Sequence, residues 1–474
     1  MLTRLEADGF KNLLGFDADL GPFTCIAGPN AVGKSNVFDA IEFLSLLADH
    51  PFMEAAQRLR AHGARGTDPR TLFWQHDDVS KQTSRMRLAA EMIVPRQVSD
   101  DFGRLAEATT TFLRYELELE YQPPSVAGMH QPGRIVLLSE RLRHINRGDA
   151  AAHLAWPHSK SKFRDLVVVG RRAGTAYIST DLDNDGNNVV SVHQDGGSRG
   201  QPRRSPAASA PRTVISTTTT SDDPTILAAR REMQQWRMLA LEPAAMRSPD
   251  LASGPSRIQQ DGSHLAAALY RLAGQDPETT YARVGAEAAA LTDIREVAVD
   301  FDPQRELLTL QARIGTGPML PARALSDGTL RFLALCIIGI DPDFGGVICM
   351  EEPENGIHPA KVPAMVDLVR GLAVDPADSP GADNPIRQVM VNTHSPNFVR
   401  FQDGNDLLFA VPTKVKRQGS NKLATTLRLL PLVKSWRAGS SRVGVTRDVI
   451  IEYLQVPDGA NVQLELPFAE LGSA

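Results

Sequence analysis

Two glutamates stand side by side in GGVICMEEPENGIHP, residues 345–359. Val347 to Met350 form an apolar run that leads straight into Glu351 and Glu352. Neighbouring carboxylates repel, so a metal ion, a proton or plain exposure to water must make both tolerable. Far upstream, Gly28 to Ser35 read GPNAVGKS, which fits G-x-x-x-x-G-K-[ST] without a mismatch. In such a loop the glycines let backbone N–H groups curl round phosphate oxygens, and the following helix adds partial positive charge. Lys34 is expected to reach the β- and γ-phosphates of ATP, and Ser35 to bind Mg²⁺. The predicted nucleotide contacts are Gly28, Pro29, Asn30, Ala31, Val32, Gly33, Lys34, Ser35 and Asn36. A bound Mg²⁺ gives the acid pair separate tasks. Glu351 falls to the metal side, directly or through water, and Glu352 to the attacking water. The strand ending in the pair should then lie beside the phosphate loop.

Two shorter motifs join them. ALSDGTLRFL puts Ser326 and Gly328 just before a predicted helix, a second anion site. VMVNTHSPN ends a predicted strand on Thr393, His394 and Ser395, and ligands of α/β sheets bind at that end of a strand.

The elements that must position these groups are legible from periodicity. GFDADL and FTCIAG read as strands, and Val37, Ile41, Leu44 and Ala48 recur at helical spacing. FLRYELELEY sets Leu113, Tyr115, Leu117, Leu119 and Tyr121 on one face of a long strand with one wet side. RIVLLSERL and LVVVGRRAGTAYIST suggest further antiparallel strands. Residues 194–222, rich in Gly, Ser, Pro, Arg and Thr, read as a mobile loop. A helix restarts at Asp223-Pro224, with Ile226, Ala229, Met233 and Trp236 on one stripe. REVAVDFDPQRELLTLQARIG reads as a hairpin about Asp302-Pro303. The last third alternates helix and strand, the grammar of a parallel α/β sheet. DLDNDGNN, from Asp181 to Asn188, begins like a calcium loop, but its twelfth position is Val192 rather than a chelating glutamate, so a polar hairpin tip is expected.

Bulk composition narrows the class. The 474 residues are 42% hydrophobic and 23% charged, with net charge −5. No global basic field marks a nucleic-acid binder, and any such contact must use local patches. Arg199, Arg203 and Arg204, and Lys414, Lys416 and Arg417, read as solvated loops. Cys25, Cys336 and Cys349 sit in apolar surroundings without a CxxC, which fits a reducing compartment. MLTRLEADGF is too charged for a signal peptide, and the apolar run Phe332 to Ile340 is too short to span a bilayer. A cytoplasmic protein without membrane partners is expected.

In their order along the chain, the phosphate loop, LSDG, EEPENGIHP and THSP resemble the ABC-type ATPase heads of the RecF/SMC/OLD-like superfamily. The opening EADGFKNL resembles the first strands of that family. The resemblance covers about residues 1–95 and 295–415, and is nearest to bacterial OLD-like "AAA family ATPase" proteins, many of them in anti-phage defence. It implies an α/β P-loop head with a mixed α+β insertion. The implied division is a first head part at 1–95, an insertion at 96–294, a second head part at 295–430 and a tail at 431–474. It also implies that ATP is sandwiched between two heads, where Ser326 and Gly328 of one touch the nucleotide on the other. His394 matches the switch histidine that senses the γ-phosphate, and Asn355 to His358 match the loop that crosses the interface. Glu351 stands where the wider family has aspartate, as is common in the OLD-like branch. Gln75 is the candidate Q-loop metal contact. The OLD nuclease set is missing from the 80 residues after His394.

Three functions compete on this reading. One is a sensor or regulatory ATPase of a defence system with a separate effector. The others are a RecF-like repair ATPase that contacts nucleic acid and the cytosolic subunit of a transporter, which the insertion and the acid pair disfavour. In the tail, Gln463, Leu464, Leu466 and Phe468 resemble the peptide that docks on the bacterial sliding clamp.

Overall fold

The computed structural model describes the chain except residues 60–67, 75–84, 125–132, 171, 173, 196–200, 275, 291, 417–422, 440–443 and 456–474. Gln75, Arg199, Arg417 and the clamp-like peptide Gln463 to Phe468 lie outside the described residues.

The strands in chain order are β1 Leu2–Asp8, β2 Phe16–Asp19, β3 Phe23–Ala27, β4 Arg85–Ile93, β5 Gln97–Ser99, β6 Leu105–Glu107, β7 Phe112–Gln122, β8 Arg134–His144, β9 Ile178–Leu182 and β10 Asn188–Val192. They continue as β11 Arg203–Pro206, β12 Arg237–Leu239, β13 Asp250–Leu251, β14 Ile294–Asp302, β15 Leu307–Ile314, β16 Met319–Pro321, β17 Gly346–Glu351, β18 Arg387–Thr393, β19 Leu407–Lys416 and β20 Leu423–Pro431. An antiparallel eight-stranded sheet runs β11-β10-β9-β8-β7-β4-β1-β2, and a six-stranded sheet runs β12-β17-β18-β3-β19-β20. In the second, every pair is parallel except β19 with β20. A smaller sheet joins β13, β15, β14 and β16.

The apolar run of β17 follows from its position. Val347 and Cys349 pack into the same core as the helix Lys34–Leu47 and strands β1, β4 and β7. Ile348 and Met350 enter a second core with the helices Leu265–Ala273, Asp327–Ile340 and Val362–Gly371. A strand covered on both faces must be apolar at successive positions, and each large side chain so buried contributes about 1.5–3 kcal/mol. Val37, Ile41, Leu44 and Ala48 all point into the first core, so the helix after the phosphate loop is clamped between the two sheets.

Several expectations change. The acid-bearing β17 lies two strands from β3, with β18 between them. Within residues 96–294, β7 and β8 extend the sheet of β1, β2 and β4, and β12 pairs in parallel with β17. The stretch expected as a loop at 194–222 contains β11, paired to β10, and turns held by the buried Glu140, which accepts N–H bonds from Val214 and Ile215. LVVVG is not a strand. Asp165–Val167 is a helical turn, and the sheet resumes only at β9. Beyond residue 430, Leu432, Val445 and Ile450 join the second core and Tyr453 packs edge-on against Phe409. The hairpins at Asp302-Pro303 and Asp183 form as expected. No helix among the described residues is long and apolar enough to cross a membrane.

Candidate functional site

The phosphate loop links β3 to the helix Lys34–Leu47. Gly33 has φ +97°, and a Cβ there would come 2.2 Å from the Asn12 side-chain nitrogen, so only glycine fits. Gly28 is equally tight, because its Cβ would meet the Ala410 carbonyl of β19 at 2.8 Å. Asn12 braces the loop from outside. Its amide donates to the Val32 carbonyl at 3.0 Å, and its carbonyl accepts from the Asn36 amide at 2.7 Å. Ala31 adopts φ +62°, a conformation uncommon for a residue with a Cβ.

Lys34 is buried and folds back on its own loop. Its ammonium donates to the carbonyls of Gly28 at 2.7 Å and Pro29 at 2.6 Å. Asn30, Ala31, Gly33, Lys34, Ser35 and Asn36 line a pocket of about 320 Å³, whose other wall is Glu351, Glu352 and Asn392. The predicted loop and the predicted acids therefore share one cavity, although a strand separates their backbones. Register explains how. Glu351 pairs with Asn392 across β17 and β18, and the Asn392 amide donates to Glu351 at 3.4 Å.

Glu352 has φ +47° and donates its N–H to the Asn392 carbonyl at 2.9 Å. Its carboxylate is held on both sides. His394 Nδ1 lies 2.6 Å from Oε1, and the Asn355 amide donates to Oε2 at 2.6 Å. His394 therefore meets the acid, whereas the pocket wall at its strand end is Asn392. One turn further on, the buried Glu354 accepts the Thr393 hydroxyl bond, and burial pushes its carboxyl above the ordinary range.

Ser326 caps the helix Asp327–Ile340 through the Thr329 N–H. Ser326 and Gly328 do not line the phosphate pocket of their own chain. Gln75 lies outside the described residues and cannot be set against the pocket.

The pocket suits a triphosphate with a hard cation. Loop residues from Asn30 to Asn36 line one side of the pocket, and Glu351, Glu352 and Asn392 the other. Ser35 and Glu351 carry oxygen atoms of the kind Mg²⁺ prefers, and Mg²⁺ commonly takes few protein ligands beside phosphate and water. Asn12 and Asn392 carry no motif that singles them out in the sequence.

A family model described as "AAA domain, putative AbiEii toxin, Type IV TA system" matches residues 263–400. That span holds Ser326, Glu351, Glu352 and His394 but not the phosphate loop. No curated protein sequence matches the chain. Among solved structures, the SmcHead bound to the C-winged helix domain of ScpA aligns at 13% identity and TM-score 0.48, covering 91% of this chain and 99% of that one. An Smc head domain with an extended coiled coil bound to the C-terminal domain of ScpA, from Pyrococcus furiosus, aligns at 10% and 0.40, covering 91% and 96%. The SMC head domain from Thermotoga maritima aligns at 11% and 0.35, covering 91% and 98%. By its sheet order and phosphate loop the chain is an α/β protein with a P-loop beside a mainly parallel six-stranded sheet, and over residues 263–400 it is similar to the AAA domain family described as a putative AbiEii toxin.

Proposed function

We propose that the chain binds and hydrolyses ATP between two copies of its head, as the sensor or regulatory subunit of a bacterial defence system with a separate effector. The observation that carries this reading is the shared pocket of the phosphate loop and the Glu351–Glu352 pair, from which Ser326 and Gly328 are absent. A second copy supplying those two residues completes the ring of groups around a nucleotide. The toxin–antitoxin wording of the matched family supports a two-component setting.

In this mechanism Lys34 leaves the Gly28 and Pro29 carbonyls for the β- and γ-phosphates. Ser35 and Glu351 would hold Mg²⁺, which when bound would neutralise phosphate charge. Glu352, fixed by His394 and Asn355, orients the attacking water and takes its proton. Asn12 and Asn36 keep the loop open toward the phosphates.

The reading is tested by Mg-ATP binding and closure. At a hundredfold excess over Kd, ATP should stabilise the wild type by about 2.7 kcal/mol, and Lys34→Ala should lose that shift. Glu352→Gln should accumulate an ATP-dependent dimer, seen by light scattering and by crosslinks between engineered cysteines near Ser326 of one copy and near Lys34 of the other. Adding Ser326→Arg should block that dimer while the nucleotide shift survives. An equal thermal shift in wild type and Lys34→Ala rejects the site.

A further inference from the structure

We propose that a second cavity, on the β12 side of the acid pair, binds a small uncharged amide built on one six-membered ring. The site itself goes beyond the ATPase reading, and only its effect on turnover rests on that reading.

β17 has β18 on one edge and β12 on the other. The phosphate cavity lies on the β18 side, where Asn392 joins Glu351 and Glu352 in its wall. The second cavity, of about 190 Å³, lies on the β12 side, and Glu351 and Glu352 wall it as well. Its apolar lining comes from Leu239 at the end of β12, Leu241 just past it, Leu335 on the helix Asp327–Ile340 and Met350 of β17. Leu239, Leu335 and Met350 are buried, whereas Ala240 on the same wall is exposed. The cavity is therefore apolar within and reachable past Ala240.

Size and charge select the ligand. A cavity of about 150 Å³ holds benzene, and drug-sized ligands take about 300–1,000 Å³. At about 190 Å³ the cavity suits one six-membered ring with a short substituent. Arg331 also lines it, gives one N–H to the Asn355 carbonyl, and keeps its Nε buried without an acceptor. A guanidinium has five N–H donors and no acceptor, whereas an ionised carboxylate only accepts. The wall thus offers donors from Arg331 and acceptors from the acids, and an amide answers both with its carbonyl and its N–H. An anion would be repelled by Glu351 and Glu352 and a cation by Arg331, so the uncharged amide is preferred to either. A few polar groups set in an apolar lining are the usual makeup of a small-molecule site.

Benzamide is the probe, and benzoate and benzamidinium match its shape while carrying opposite charges. Ligand-observed NMR titrations onto the full chain should show saturable benzamide binding. Both ions should bind about tenfold more weakly, the scale of one lost hydrogen bond to a charged group. Ala240→Trp plugs the entrance and should abolish benzamide binding, whereas Lys34→Ala, in the phosphate loop, should leave it unchanged. Arg331→Met should weaken benzamide and tighten benzamidinium, a reversal that loss of packing alone does not produce. Saturating benzamide should lower kcat for ATP with KM unchanged, because the ring meets Glu352 and not the phosphate loop. Thermal melts check that each variant is folded, and the exposed Ala240 position keeps the test open if Arg331→Met does not fold. Absence of saturable benzamide binding, or full binding by Ala240→Trp, overturns the site. Equal binding of the three probes overturns the amide, and benzamide binding with kcat unchanged overturns the contact with Glu352. A wild type that does not hydrolyse ATP overturns the ATPase reading, and the titrations still decide the site.

Discussion

His394 Nδ1 lies 2.6 Å from Glu352 Oε1, so the end of β18 holds the acid at the end of β17. Their strands are direct neighbours in the sheet, and each side chain extends just past its strand. Glu352→Gln keeps the size of the side chain and removes the base. Turnover should fall at least a hundredfold, the usual scale for a general base, with ATP affinity preserved. His394→Ala should lower turnover less, through a poorly oriented acid. Single-turnover hydrolysis with parallel ATP titrations separates the two, and unchanged turnover in Glu352→Gln would remove the acid from the mechanism.

Gly33 tests the loop itself. Gly33→Ala must place a methyl 2.2 Å from the Asn12 nitrogen at φ +97°. Strain of this kind costs about 1–3 kcal/mol, and the loop should give way before the sheets do. ATP should no longer shift the melting temperature, while urea unfolding shows only that modest loss. Adding Asn12→Ala removes the overlap but leaves the backbone strain, so it should restore ATP binding only in part. Full binding by Gly33→Ala would show that the loop closes in another way.

Glu140 supplies a pH dependence remote from the site. It is fully buried, and burial raises its carboxyl to about 7 despite bonds from Ile215, Val214 and Tyr115. A carboxyl raised in the folded state favours folding below its unfolded value of 4.5, and that contribution is lost as pH rises through about 7. The gap corresponds to about 3 kcal/mol. Urea midpoints of wild type and Glu140→Gln between pH 4.5 and 8 should diverge in slope, the variant being flatter. Parallel curves would show that Glu140 does not titrate in this window.

Arg387 anchors the opposite end of β18. Its buried guanidinium donates to the carbonyls of Phe344 at 2.6 Å and Asp341 at 2.8 Å, and at longer range to Leu372 and Gly339. Arg387→Met leaves those carbonyls without a donor and should cost about 3 kcal/mol or more in urea unfolding. The folded fraction should bind ATP as before, because the change lies at the far end of the strand from His394. A loss below 1 kcal/mol would mean that water replaces the guanidinium.

The grouping of residues in the pocket was easier to read from sequence than the architecture that builds it. Gly28 to Ser35 and Glu351-Glu352 announce themselves because phosphate and metal chemistry tolerate few residue types at fixed spacing. Strand order carries no such constraint. β18 intervenes between β3 and β17 because parallel strands take their neighbours from the crossover path, which side-chain alternation does not encode. Asn12 was hidden for a related reason. It works through its amide against Val32 and Asn36, and an asparagine in a turn looks the same whether it braces a phosphate loop or merely closes the turn. LVVVG misled because a short apolar run fits a strand and a buried helical turn equally well.

The pairing of β12 with β17 has a consequence for any attempt to trim the chain. Val347 to Met350 form an uninterrupted apolar run, and β12 occupies the hydrogen-bonding edge beside it. A head joined directly from residue 95 to residue 295 would bare that edge, with its unpaired N–H and carbonyl groups and no charge until Glu351. Such an edge is a template for strand addition between molecules. The shortened chain should therefore aggregate through the strand that leads into Glu351 and Glu352, and the middle of the chain serves partly as a guard on that strand.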